Sequence, residues 1–567
     1  MTGNQLKMRS WISVVLFLTP VVLGILQWRE KGYLRLPYNQ AGQFGMLRNG
    51  ATKATYHPQT RMLYVIGTGT NLMHIVDLTN TDQPRIAYTH FFNAVGDGEI
   101  TDVVSCPDSV AVSIVNNDKT SEGHVEVFLP FTANDQTITR LGRITVGVYP
   151  KSMAFTPDCS RLVVVNEGKP GIRVNTGRFY DPEGSISIIV RNDAGFPPEI
   201  NLNFQSFNNR VLEYVVKGVR YIFRGDTAAG IQSTFSQDLE PESVVIDNNG
   251  RYAYISLQEN NAIVKLDLTT NMYIDIYPLG VKNFSNFDMD ASDRDGGANL
   301  KRHQVYGFHQ PRDLKYGVIN GQGYILTANT GAIKEFRLAT EGFEFTDAGR
   351  ARVLNTGGLI DQALVGAANL AKINSDTELG RLHISKFDGL NNQQNLVQYL
   401  HTYGGRSISM FNSATFTRVY DTGDDMERYV AAQYPTTFNG ECSNANLSPA
   451  NEADLRSDDY GVEPTAIDVG SFNGSPVLVA GARTGQLFMY SVIGTALTYQ
   501  SVHRRGTDSQ IWNTLYTNNQ AGDAIISDIG YLDETTSPSR TPLVYVIGSG
   551  TSSIGLYEIY DDGNTKL

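Results

Sequence analysis

Apolar residues fall along most of the chain in short, strand-length runs closed by Gly, Asn and Asp, as residues 240–268 show: EPESVVIDNNGRYAYISLQENNAIVKLDL. Runs at 243–247, 252–257 and 262–268 are separated by Asn248-Asn249-Gly250 and Gln258-Glu259-Asn260-Asn261, which is hairpin chemistry. The same grammar recurs at 150–190, where Thr156-Pro157-Asp158 takes the place of the Asn-Asn-Gly turn. Eight clusters of this type occur, at 61–78, 109–128, 152–190, 243–268, 313–338, 381–420, 465–492 and 543–560, the sixth being the least regular. A unit that cannot bury its own apolar face and recurs along the chain is a blade or a coil. The pattern therefore predicts an all-β chain: a single β-propeller of seven or eight four-stranded blades over residues 50–560. The first and last clusters, Tyr64-Val65-Ile66-Gly67-Thr68-Gly69-Thr70 and Tyr545-Val546-Ile547-Gly548-Ser549-Gly550-Thr551, are near copies and are expected side by side where the ring closes.

The first 35 residues break the pattern. Lys7 and Arg9 precede an apolar run at 11–26, and Val22-Leu23-Gly24 offers a signal peptidase small or permissive residues. Residues 1–35 are read as a signal peptide or uncleaved signal anchor with a short linker, placing the rest in a secreted or surface-held setting. The C-terminal residues 560–567 are polar, so no glycolipid anchor signal is expected there.

Composition agrees with a ring of short strands, with 54 Gly and 29 Tyr in 567 residues. The 46 basic and 58 acidic residues give a net charge of −12, which favours a cationic partner and argues against nucleic acid. Three cysteines cannot make a disulfide framework. Cys106 and Cys159 lie near the first turns of neighbouring units and can bridge; the alternative is that all three are buried small apolar residues.

Ordinary catalytic signatures are missing: the sequence has no HExxH, Walker A, GxSxG or CxxC motif. The Gly67 and Gly69 spacing is no dinucleotide fingerprint, because a second β pattern follows it and Leu72 stands where the third glycine belongs. Long acidic connections are what stand out. Asp290, Asp293 and Asp295 alternate ahead of Gly296-Gly297, so several carboxylates on one tight loop can face a hard cation. It is not an EF-hand, since Asn299 holds the twelfth position and no flanking helical period is evident. Two more clusters occupy 421–427, with Asp424 and Asp425, and 454–461, with Asp458 and Asp459. The competing expectation is that arginines such as Arg294 and Arg302 pair with these carboxylates and the loops are merely structural.

The runs VNEGKPG (165–171), DLEPESVVI (238–246), DASDRDGG (290–297), YGGRSISMFN (403–412), DTGDDMER (421–428) and RSDDYGVEP (456–464) resemble the mesenchyme-specific cell surface glycoproteins of biomineralising animals. They also resemble related bacterial surface proteins with a choice-of-anchor sorting tail. The resemblance implies a secreted or surface-held propeller glycoprotein associated with shell or skeleton deposition, with calcium, calcium mineral or extracellular matrix components as partners. Carried over by position, it puts the cation ligands among Asp290, Asp293, Asp295, Asp424, Asp425, Asp458, Asp459, Glu167, Glu242 and Glu463. The Asn-Glu-Gly turn is kept at Asn166-Glu167-Gly168, loses its carboxylate at Asn329-Thr330-Gly331 and is gone at Gly548-Ser549-Gly550.

Sequons at Asn283, Asn446 and Asn473 are the glycosylation candidates, Asn283 first because no proline follows its tripeptide. Two functions from different classes follow. One is a non-enzymatic, calcium-associated extracellular glycoprotein. The other is a calcium-dependent phosphoester hydrolase, in which acidic loops hold the metal and Arg294 or Arg406 clamps phosphate.

Overall fold

A computed structural model describes residues 24–92, 98–191, 200–226, 231–338 and 343–565. Seven four-stranded antiparallel sheets form the ring. Blade 1 is built from Lys53–His57, Met62–Gly67, Leu72–Asp77 and Arg85–Phe91, and blade 2 from Ile100–Cys106, Ser109–Ile114, Glu122–Phe128 and Arg140–Val148. Blade 3 takes Pro150–Phe155, Arg161–Asn166, Ser185–Val190 and Ile200–Asn203; blade 4 takes Pro241–Ile246, Tyr252–Leu257, Ala262–Asp267 and Met272–Pro278. Blade 5 pairs Asp313–Ile319 and Gln322–Ala328 with Ile408–Asn412 and Arg418–Asp421, and blade 6 runs from Pro464–Phe472 through Ser475–Ala482 and Gln486–Ile493 to Ala496–Arg504. Blade 7 joins Ile526–Leu532, Leu543–Gly548 and Ser553–Thr565 to the N-terminal strand Gly24–Arg35.

The count is thus seven. The irregular 381–420 unit is no blade of its own; its last strands complete blade 5 across a long insertion. The propeller also begins earlier than residue 50, since Gly24–Arg35 is its closing strand rather than a linker. Residues 1–23, which hold Lys7, Arg9 and most of the apolar run, lie outside the described residues. Among the described residues no helix is long and apolar enough to cross a membrane.

Sequence explains the layering. Second and third strands are covered on both faces by neighbouring blades, so Met62–Gly67 and Leu72–Asp77 are buried throughout, whereas the outermost Arg85–Phe91 alternates exposed and half-buried positions. First strands adjoin one another round the centre. Four blade junctions carry the same stitch, an inner-strand aspartate accepting a backbone N–H from the next blade: Asp102 from Met153 at 2.7 Å, Asp313 from Ile467 at 2.9 Å, Asp468 from Tyr531 at 2.7 Å and Asp528 from Ala54 at 2.8 Å. Another link is covalent, a disulfide between Cys106 of blade 2 and Cys159 of blade 3, with Cα atoms 6.2 Å apart. Cys442 is buried and free, and burial pushes its thiol up to about 12.

Because strands alternate in direction, connections alternate between the two ends of the ring. The long ones, residues 167–184, 204–240, 279–312, 329–407, 422–463 and 505–525, all leave from one end. Several interlock there as a cap. Strands Val305–Phe308 and Leu400–Thr402 pair in parallel across two insertions, over a core that includes Phe284, Met289, Leu354 and Ile373. Arg220 ties a third insertion in, with Asp347 and Asp388 each at 2.7 Å.

Candidate metal centre

The acidic loop of residues 290–300 is closed at its base by a two-way backbone bridge between Met289 and Lys301. Its glycines Gly296 and Gly297 stand at φ +99° and +114°, outside the usual range of other residues, so the loop folds back on itself. That brings Asp295 and Asp290 together, and the 422–463 insertion adds Asp454; one oxygen of each lies within 4.8 Å of the others. Asp290 is fully buried. Its carboxylate accepts backbone N–H groups from Ser292 at 3.2 Å and Asn299 at 2.6 Å. Burial above all, with Asp454, Glu427 and Asp295 adding repulsion, pushes Asp290 up to about 8. Burial likewise raises Asp454 to about 6, although Ser457 donates to it at 2.6 Å and the Gly297 N–H also reaches it.

Arg406, 1% exposed, locks the surroundings. Its guanidinium donates to the Asp290 carbonyl, to Glu427 at 2.8 Å and to the Ser457 carbonyl at 2.7 Å. A group so enclosed cannot clamp a phosphate, which removes Arg406 from that role; Arg294, the other candidate, sits 3.3 Å from Asp293.

The remaining expected ligands divide among cationic partners. Asp293 turns away from Asp290 and forms a fork with Arg381. Asp458 lies 2.6 Å from Arg350 and 3.2 Å from Arg381, and Asp459 lies 3.1 Å from Arg350 and 2.6 Å from His383. Asp424 and Asp425 both face Arg428, at the start of the helix Asp425–Gln433. Glu463 meets Arg456 at 2.7 Å and Arg483 at 3.4 Å. On the ring side, Glu167 binds Lys151 at 2.9 Å and Lys169 at 3.4 Å; burial opposes its charge, but the two lysines hold it down near 2. Glu242 is 3.4 Å from the same Lys151, and burial raises it to about 7. Of the ten expected ligands, Asp290 and Asp295 alone join the carboxylate cluster, which corrects the placement of Asp293, Asp424, Asp425, Asp458, Asp459, Glu167, Glu242 and Glu463.

From the 454–461 run it is Asp454, and not the arginine-paired Asp458 and Asp459, that joins the carboxylate cluster. Glu427 lies within the acidic run 421–427, whereas nothing local signals Asn439. The latter is 2% exposed, and its side-chain nitrogen donates to Glu427 at 2.9 Å and to Ser457 at 3.0 Å.

A second concavity occupies the cap-side mouth of the central channel. Its volume is about 310 Å³, and its lining includes Lys53, Lys151, Glu242, Arg312, Thr465 and Ser527 from different blades. The candidate glycosylation sites differ in access: Asn446 is exposed, Asn473 is exposed in the hairpin turn between the first two strands of blade 6, and Asn283 is half-buried with its side-chain oxygen accepting from Ser285.

Residues 52–495 match the model of the choice-of-anchor I domain. Over 344 residues, 57% of the chain, the sequence is 30% identical to the mesenchyme-specific cell surface glycoprotein of Strongylocentrotus purpuratus, covering 44% of that protein. Over 197 residues, 34% of the chain, it is 31% identical to Gigasin-3a of Magallana gigas, covering 65% of it. The chain therefore spans less than half of the first relative and just under two thirds of the second. Among solved structures it is similar to the β-propeller domain of Myceliophteria thermophila Cps50 (Swd1), with a TM-score of 0.43, 7% identity and coverage of 94% of this chain and 99% of that one. It is also similar to the WD40 domain of Toxoplasma gondii coronin, with a TM-score of 0.43, 9% identity and coverage of 96% and 89%.

Proposed function

The chain belongs to the choice-of-anchor I domain family, and from that premise we propose that it works outside the cell as a calcium-associated propeller glycoprotein. It binds ions, mineral or matrix partners and turns over no substrate. The observation that carries this is the 344-residue likeness to a protein named a cell surface glycoprotein. Three features support it. A disulfide between Cys106 and Cys159 suits an oxidising compartment. Exposed sequons at Asn446 and Asn473 suit glycan attachment. A net charge of −12 suits a cationic ion or surface. Against hydrolysis, neither arginine suggested for phosphate is free, and the channel carboxylates Glu167 and Glu242 are tied to Lys151.

Expressing the full chain in a secretory animal cell line tests the reading. Recovery from the medium with a glycosidase-sensitive mass and an intact Cys106–Cys159 bridge is expected, with calcium uptake by calorimetry. A chain retained in the cytosol, unglycosylated and with both thiols reduced, overturns it.

A further inference from the structure

The cluster of Asp290, Asp295 and Asp454 has no cationic side chain to balance its carboxylates among the described residues. Among the described residues no Lys, Arg or His nitrogen makes an ion pair with any of the three, whereas each of the other eight expected ligands has at least one such partner. Burying like charges without a counter-ion is strongly unfavourable. Two oxygen donors here also accept no hydrogen bond: Oδ1 of Asp295, within the cluster, and Oδ1 of Asn439. Asn439 is an independent sign, because it is almost wholly buried and its nitrogen is held by Ser457, the same hydroxyl that donates to Asp454. A buried amide oxygen left without a donor, on a side chain joined to Asp454 through Ser457, is a second sign of a hard cation at this cluster.

The geometry suits calcium. Its oxygen ligands sit at about 2.4 Å, so two ligands on opposite sides of one ion stand about 4.8 Å apart, and the carboxylate oxygens all fall within that span. Magnesium prefers to keep several waters and is held by one or two carboxylates, a poorer match to three acids on two buried loops.

We propose that Asp290, Asp295 and Asp454, with the Asn439 amide oxygen, bind one calcium ion that clamps the 279–312 insertion to the 422–463 insertion. This rests on the calcium-associated reading above and assigns it a resident ion. Asp290 is fully buried, so a mineral face cannot reach it. The ion holds the cap together, and contact with mineral or matrix falls to other surfaces.

The test is calcium calorimetry and thermal unfolding, in calcium and in chelator, on the full secreted chain and on Asp454→Asn, Asp290→Asn and Asp424→Asn. The first two keep side-chain volume while removing ligand charge; the third alters an arginine-paired carboxylate outside the cluster. The expected result is loss of one binding event in Asp454→Asn and Asp290→Asn, or its weakening by more than about tenfold, with loss of the calcium-dependent rise in melting temperature. Asp424→Asn keeps both. If a buried variant does not fold, Asp295→Asn, on the half-buried part of the loop, reads the same quantity. Wild-type binding that persists unchanged in all three cluster variants sinks this site and leaves the calcium reading standing. A wild-type chain that takes up no calcium sinks both.

Discussion

Asp181 shows how the fold sets the ionisation of a single carboxylate. It is 4% exposed and accepts a hydrogen bond from Ser233 at 2.7 Å, and burial pushes it up to about 7 although Lys334 pulls the other way. A carboxyl raised above its unfolded value contributes stability that is fully present below the unfolded carboxylate range and is lost as pH rises through about 7. Asp181→Asn keeps the shape and removes that titration. It should match the wild type near the acid end of the range and exceed it by about 2 kcal/mol at pH 8 in urea unfolding. A difference that does not grow between those conditions shows that the upward shift of Asp181 carries no stability. Single residues were also the hardest level to read from sequence. Alternation along 290–295 points to Asp290, Asp293 and Asp295 alike, but the partners of Asp293, Asp458 and Asp459 are Arg381, Arg350 and His383, brought in from another insertion. No local pattern carries such pairings.

Strands were legible where burial is two-sided. Tyr252–Leu257 and Ala262–Asp267 are mostly apolar, nearly fully buried runs because a blade covers each face, and turn residues such as Gly250 and Asn261, both at positive φ, mark their ends. Gly24–Arg35 falls in the stretch expected to be the end of the leader and a short linker because Ile25 and Leu26 continue the apolar run before them, although Leu26 and Trp28 already show the alternation of a strand buried on one face. Blade 5 was split in two because 79 residues of cap separate Gln322–Ala328 from Ile408–Asn412. Between elements, the Cys106–Cys159 bridge spans 53 residues of sequence, and in the chain-entropy account closing a loop of that length restrains the unfolded state by about 4 kcal/mol. The double variant Cys106→Ser, Cys159→Ser should therefore lower the urea midpoint substantially. An unchanged midpoint would show that the link between blades 2 and 3 adds no stability.

At the scale of the ring, closure is the event on which the molecule depends, and it is made by the two ends of the chain. Gly24–Arg35 pairs along Ser553–Thr565 from Leu26 opposite Asp561 to Arg35 opposite Ser553. The strand also reaches its neighbours: the Leu26 carbonyl accepts from Ser501 of blade 6 at 2.8 Å, and the Gly32 N–H donates to Thr81 of blade 1 at 2.9 Å. Its Trp28 packs edge-on against Tyr557, with ring centroids 6.0 Å apart. Without it, Ser553–Thr565 becomes an open edge, and Tyr557 and Ile559, now at 1% and 2% exposure, lose their cover. A chain that begins at Gly24 keeps this strand, whereas one that begins after Arg35 lacks it. Two chains exported behind the same foreign leader, one starting at residue 24 and the other at 36, separate these cases. The longer chain should elute as a monomer with one cooperative melt. The shorter should aggregate, or melt many degrees lower, because blades 6, 7 and 1 all lose contacts with the missing strand. Equal melting temperatures and equal elution would mean that the other six blades and three strands hold the ring without its clasp.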